Sequence, residues 1–186
     1  MIIGLTGRAG VGKDTVGAYL IEHLPELTIS GSFAWPIKAA LSIMFPSVSF
    51  TDRATKETPH ELLGGNSPRR LAQTLGTEWG RELIDPNIWV LSLISRLATL
   101  PHDNLIITDV RFNNEAEWII SNGGEVWRIV RDSVPDIEDH PSEHGILLDF
   151  ISKTVYNNGS IAELYSTLDD IIQGYQPESV PAVPAP

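Results

Sequence analysis

The chain has 186 residues, a formal net charge of −11 and no cysteine. That length fits one domain of ordinary size, able to bury a core without disulfides or a structural metal. The cysteine count excludes disulfides, thiol nucleophiles, thiolate zinc sites and iron–sulfur clusters, and the acidic balance argues against a surface built to coat nucleic acid.

From the N-terminus, Ile2 to Thr6 is a short apolar run ending at Gly7, as in a buried parallel strand. Val16, Tyr19, Leu20 and Leu24 then recur at helical spacing over Asp14 to Leu24, and Pro25 closes the helix. Leu27 to Ser30 reads as a second strand, and a helix from Pro36 to Phe45 stops before Pro46. Ser67-Pro68 is an N-cap and first-turn pair for a helix to about Leu75. Asp85-Pro86 repeats that signal before the apolar stretch Ile88 to Leu97.

Leu105 to Thr108 is the third strand, Asn114 to Asn122 a helix ended by Gly123-Gly124, and Val126 to Val130 the fourth strand. Lys153 to Tyr156 is a weaker strand. Ser160 to Ile172 is an amphipathic helix with Ile161, Leu164, Leu168 and Ile171 on one face. Strands alternating with helices imply an α/β fold with a parallel sheet covered on both faces. The domain is expected over 1–175, with a helical insert at about 36–100 above the ligand edge of the sheet and a short lid at about 132–145. The residues 176–186, four of them proline, read as an extended tail. No run of about 18 apolar residues spans a membrane, and MIIGLTGRAG is too short and lacks the basic start of a signal peptide.

The strongest motif is Gly7-Arg8-Ala9-Gly10-Val11-Gly12-Lys13-Asp14-Thr15, which fits G-x-x-x-x-G-K between a strand and a helix, the context a phosphate-binding P-loop requires. Glycines let successive amides turn inward, the helix adds the positive end of its dipole, and Lys13 reaches the outer phosphates. The hydroxyl usually found directly after the lysine comes one place later, at Thr15, with Asp14 between. Thr15 would then meet Mg²⁺ directly or through water. This G-K-x-T form resembles nucleoside monophosphate kinases rather than GTPase switches, whose N-K-x-D motif is missing along with the G-x-S-x-G of serine hydrolases.

Arg69 and Arg70 fall in the first turn of a helix, a poor place for cations on dipole grounds and a good one for gripping a phosphate. The stretch Leu71 to Trp89 adds Glu78, Trp79 and Arg81 near two glycines; the arginine could pair bidentately with phosphate, and Trp79 or Trp89 could stack on a base. Asp109 and Arg111 leave the end of a buried strand, where Asp109 could orient Mg²⁺ waters and Arg111 could hold an acceptor phosphate. Arg131 leads from the next strand into a polar stretch containing His140 and His144, two candidate ligands with no third.

The blocks GLTGRAGVGKDT, FAWPIK, SPRRLAQTLGTEWGREL, ITDVRFNNEAEWI and HPSE resemble the deoxynucleoside monophosphate kinases of tailed bacteriophages, within the P-loop kinase superfamily. The resemblance spans about residues 1–145. It implies a three-layer fold around a five-stranded parallel sheet, with γ-phosphoryl transfer from ATP to a deoxynucleoside monophosphate. Gly7 to Thr15 would hold ATP phosphates with Mg²⁺ at Thr15 and Asp109, and the loop Asn157-Asn158-Gly159 would border adenine, with Asn158 and Gly159 as its ATP-binding residues. Lys38, Arg69, Arg70 and Arg111 would surround the acceptor phosphate with Trp79 beside the base, and Arg131 would neutralise the transition state. The expected partners are ATP and deoxynucleoside monophosphates, without nucleic acid or membrane, in the cytoplasm of a host cell if the chain is phage-encoded. A homodimer is one arrangement left open. Rival readings are a dephospho-coenzyme A kinase, with Asp14 near its sugar hydroxyl, and an ATP-binding regulatory module without transfer.

Overall fold

The computed structural model describes residues 1–52, 54–134 and 145–175. Five short strands, β1 (Ile2–Thr6), β2 (Thr28–Gly31), β3 (Asn104–Ile107), β4 (Glu125–Val130) and β5 (Lys153–Tyr156), form one sheet in the order β2-β3-β1-β4-β5. Every neighbouring pair is parallel, and Gly4 in the central strand lies opposite Ile107 on one side and Val126 on the other.

Alternation along the strands divides the core in two. Ile3, Leu5, Ile106, Trp127 and Ile129 face helices α1 (Lys13–His23) and α6 (Ile161–Gln173), meeting Val16, Leu20, Leu164 and Leu168. Leu105, Ile107 and Val126 face the opposite layer, built from α2 (Trp35–Met44), α4 (Ile88–Leu97) and α5 (Asn113–Ser121). Gly4 also points to this second layer, where a Cβ would stand 2.5 Å from Ile119 Cδ1 and 2.8 Å from Val110 Cγ2. A side chain there would push α5 off the central strand.

The helical stretch between β2 and β3 holds α2, α3 (Pro68–Thr74), a π-helical segment (Leu75–Ile84) and α4. The sequence pattern predicts a helix ending near Leu75; the chain instead runs on in wider turns, with the amide of Asp85 closing on the Gly80 carbonyl at the i→i+5 spacing of a π-helix. The wide turns have local causes. Gly80 lies against the Trp89 indole, 2.5 Å from where its Cβ would be, and the Gly76 carbonyl accepts from Trp89 Nε1 and Arg81 Nη1.

Two further expectations are corrected. Helix α4 covers the apolar stretch Ile88–Leu97, but Asp85-Pro86 is not its N-cap and first-turn pair, because the Asp85 carboxylate accepts from the Asn87 amide in a turn ahead of the helix. In α6 the buried positions are Leu164, Leu168 and Ile172, while Ile161 is exposed: Ser160 and Glu163 cap the helix reciprocally, so Ile161 occupies the first turn and points outward. Among the described residues, no helix is long and apolar enough to cross a membrane. Most of the lid expected at 132–145 and all of the tail at 176–186 lie outside the described residues.

Candidate active site

In a fully parallel sheet every strand ends at the same edge, so the segments after β1, β2, β3, β4 and β5 share one rim. The connection after β1 runs through α1 to β2 on one face, and the connection after β3 runs through α5 to β4 on the other. Adjacent strands whose connections diverge open a crevice between their carboxyl ends. Residues 7–15 follow β1, and Asp109 and Arg111 follow β3, so the topology sets both beside that crevice.

The loop after β1 has the form its sequence predicts. Gly7, Gly10 and Gly12 have φ of 133°, 86° and 104°, all left-handed or beyond, where L side chains are strained. Lys13 Nζ lies over the loop, donating to the carbonyls of Gly7 (2.6 Å) and Arg8 (2.8 Å). Thr15 is half-buried in the first turn of α1, while Arg8, Ala9, Gly10 and Asp14 are exposed and Val11 anchors in the core.

Asn157, expected with Asn158 and Gly159 in a loop bordering adenine, holds the loop after β1 in place. It is buried after β5, its Nδ2 donates to the Val11 carbonyl at 2.8 Å, and the same atom lies 2.5 Å from where a Cβ on Gly12 would stand. Asn158 Oδ1 accepts from the amide of Asp132 (2.9 Å) and its Nδ2 donates to Asp132 Oδ2 (2.7 Å). Asn158 and Gly159 therefore sit beside the segment carrying Arg131, which is exposed.

Asp109 has work within the fold. Its carboxylate accepts from Ser32 Oγ (2.7 Å) and from the amides of Phe33 (3.0 Å) and Ala34 (2.9 Å), fastening the chain between β2 and α2. This fixes the start of α2, which carries half-buried Lys38. For Mg²⁺ the donor set fits in kind: the Thr15 hydroxyl and the Asp109 carboxylate are hard oxygens. With three hydrogen bonds already accepted, Asp109 has little capacity for direct ligation. Among the described residues, no group of three or more His, Asp or Glu could hold a metal by itself.

Beside Arg111 stands a buried ion pair that engages Arg81, an arginine expected for phosphate, with Glu115 instead. Glu115 Oε1 accepts from Arg81 Nη2 at 2.6 Å, and Glu115 Oε2 accepts from the amides of Arg111 (2.8 Å) and Phe112 (3.2 Å). Burial pushes the Glu115 carboxyl up, with the Arg81 guanidinium opposing that shift. Burial likewise lowers Arg81, against the pull of Glu115. A glutamate three residues after a helix start is a recognised capping signal, but Phe112 in place of Ser or Thr removes its other half.

Ser67 caps α3 through the Arg70 amide, as its sequence predicts. Arg69 Nη1 pairs with Glu57 at 2.7 Å and Arg70 is exposed. Trp79 is 46% exposed and free to meet a base. Trp89 is not: its ring is in the core and its Nε1 is bonded to Gly76, which corrects that candidate for stacking.

A family model described as deoxynucleotide monophosphate kinase matches residues 65–168. A relative from Acanthamoeba polyphaga mimivirus that carries the same family name is 32% identical, over 90% of this chain and 94% of its own length. The deoxynucleoside-5'-monophosphate kinase of Escherichia phage T5 is 26% identical, over 91% of this chain and 96% of its own. Among solved structures, shikimate kinase from Aquifex aeolicus aligns over 94% of this chain and 98% of that one, with 13% identity and a TM-score of 0.48.

Proposed function

The chain belongs to the deoxynucleotide monophosphate kinase family, and from that premise we propose how its site moves a phosphoryl group. The protein is an ATP-dependent kinase that transfers the γ-phosphoryl of ATP to a deoxynucleoside monophosphate, giving the diphosphate and ADP. One observation carries the assignment of roles. A formed phosphate cradle and the turn bearing Arg111 share the crevice between β1 and β3.

Such a reaction needs little covalent help and much charge compensation. The amides of Gly7 to Thr15 and Lys13 receive the β- and γ-phosphates, whose oxygens replace the Gly7 and Arg8 carbonyls as partners of the ammonium. Thr15 and Asp109 are the residues that would hold Mg²⁺, which would supply positive charge to offset that of the nucleotide phosphates. Asn158 and Gly159 border the adenine. The acceptor phosphate is itself the nucleophile and is ionised at neutral pH, so no general base is required. Lys38, Arg69, Arg70 and Arg111 offset its charge, Trp79 lies against its base, and Arg131 meets the charge that develops in transfer. The expected place of action is the cytoplasm, that of the host if the chain is phage-encoded.

Turnover of ATP–Mg²⁺ against dAMP, dCMP, dGMP, dTMP, the ribonucleotides and dephospho-coenzyme A, read as ADP and product, tests the reading. Diphosphate formed from at least one deoxynucleoside monophosphate is expected. Turnover of dephospho-coenzyme A alone, or ATP binding without transfer to any acceptor, would overturn it.

A further inference from the structure

Glu115 lies in the first turn of α5, where a carboxylate in solvent is already well served by the helix dipole. It is nevertheless only 1% exposed, and its two oxygens serve different parts of the molecule. One takes the amides of Arg111 and Phe112; the other takes Arg81. Arg81 in turn donates to the Gly76 carbonyl at 2.8 Å, and its guanidinium carbon lies 3.8 Å from the centre of the Phe112 ring. A single ion pair therefore ties the turn carrying Asp109 and Arg111 to the π-helical segment, which continues directly from the helix carrying Arg69 and Arg70.

A buried pair is a costly way to join two elements, since desolvation offsets most of the attraction and an apolar pair of similar volume is often as stable. Arg81 Nε adds to the cost, being buried without an acceptor among the described residues. What a planar guanidinium against a carboxylate supplies, and an apolar contact does not, is a fixed distance and angle.

We infer that Arg81 and Glu115 are positioning residues for the acceptor: they set Arg111 against the α3 arginines so that one phosphate meets both. This inference rests on the kinase reading above. The telling variant is the double substitution Arg81→Met/Glu115→Gln. Glutamine keeps an oxygen for the amides of Arg111 and Phe112, and methionine fills the space while the link to the π-helical segment is lost.

The expected result is a melting temperature within a few degrees of wild type, an ATP KM within about twofold, and a KM for the deoxynucleoside monophosphate raised roughly tenfold or more. An acceptor KM within about twofold of wild type would overturn the inference, and so would an equal rise in both KM values, the mark of general loosening. Should the double variant not fold, Arg81→Lys, which keeps a charge on Glu115 but loses the fork, is read by the same split. Wild-type protein inactive on every deoxynucleoside monophosphate would sink the kinase reading itself, an outcome distinct from an active wild type whose variants are unchanged.

Discussion

The two groups of residues proposed to receive phosphate are built by different means. On the proposed donor side they are backbone amides, shaped by three glycines at positive φ and by one carbonyl held by Asn157. On the proposed acceptor side they are guanidinium and ammonium groups on long side chains: Arg69 is paired with Glu57, and the Arg81–Glu115 pair lies beside Arg111. A backbone cradle is set chiefly by its own glycine spacing and is stiff. A side-chain cluster is specified by contacts distant in sequence, and each member can be lost separately. Damage on the donor side should therefore be severe and indifferent to the acceptor, while damage on the acceptor side should be graded and leave ATP binding alone.

The harshest test of that contrast is Lys13→Ala. Transfer should fall by about three orders of magnitude with every acceptor, because the variant loses the charge aimed at the outer phosphates. ADP release measured beside a thermal melt checks this, and full activity would break the donor-side half of the comparison. Next comes Gly12→Ala, which forces a side chain into φ 104° and against the Asn157 amide. The strain is worth about 1–3 kcal/mol; a lower melting temperature and a raised ATP KM are expected, with the acceptor KM unmoved. Arg70→Ala sharpens the other half: the acceptor KM should rise about tenfold, the worth of one exposed charge-assisted contact, while ATP titrations overlay those of wild type.

The smallest effect lies outside both regions. Burial works against the Glu125 carboxylate, but hydrogen bonds from Tyr175 (2.6 Å) and Trp127 (2.7 Å) and the charge of Lys153 leave its pKa below the ordinary 4.5. A carboxylate lowered in the folded state stabilises above its unfolded pKa, and that stabilisation is lost as pH falls through the folded value. Glu125→Gln should thus melt slightly below wild type at pH 7, and the gap should close on acidification below about 4.5. Neither KM should move. A gap that widened in acid would reverse the assigned sign.

Legibility followed the same division. The strands, the loop at 7–15 and the Ser67 cap were readable because each is a local pattern: an apolar run, a glycine spacing, a hydroxyl before proline. The π-helical turn was not, since it depends on Trp89 packing over Gly80 and bonding to Gly76 from the following helix. Asp109 was read as a metal ligand by its position after a strand, and nothing near it in sequence announces the three donors at 32–34 that use its carboxylate. Arg81 reads in sequence as an arginine for phosphate, and nothing near it announces that Glu115, 34 positions away, takes its guanidinium in the fold. Asn157 is legible as part of a loop near the nucleotide but not as the brace of Val11, because chemistry alone does not say which of two adjacent asparagines faces inward.

The bond from Asn157 to the Val11 carbonyl joins positions 146 residues apart. The loop it supports is synthesised well before the asparagine that braces it. During translation the glycine-rich segment therefore stands unbraced until β5 docks beside β4, and the proposed ability to hold a nucleotide waits for that step. A nascent or truncated chain ending before β5 would carry the whole motif and still be a poor ATP binder, so competence for the substrate also reports that the sheet has been completed to its far edge.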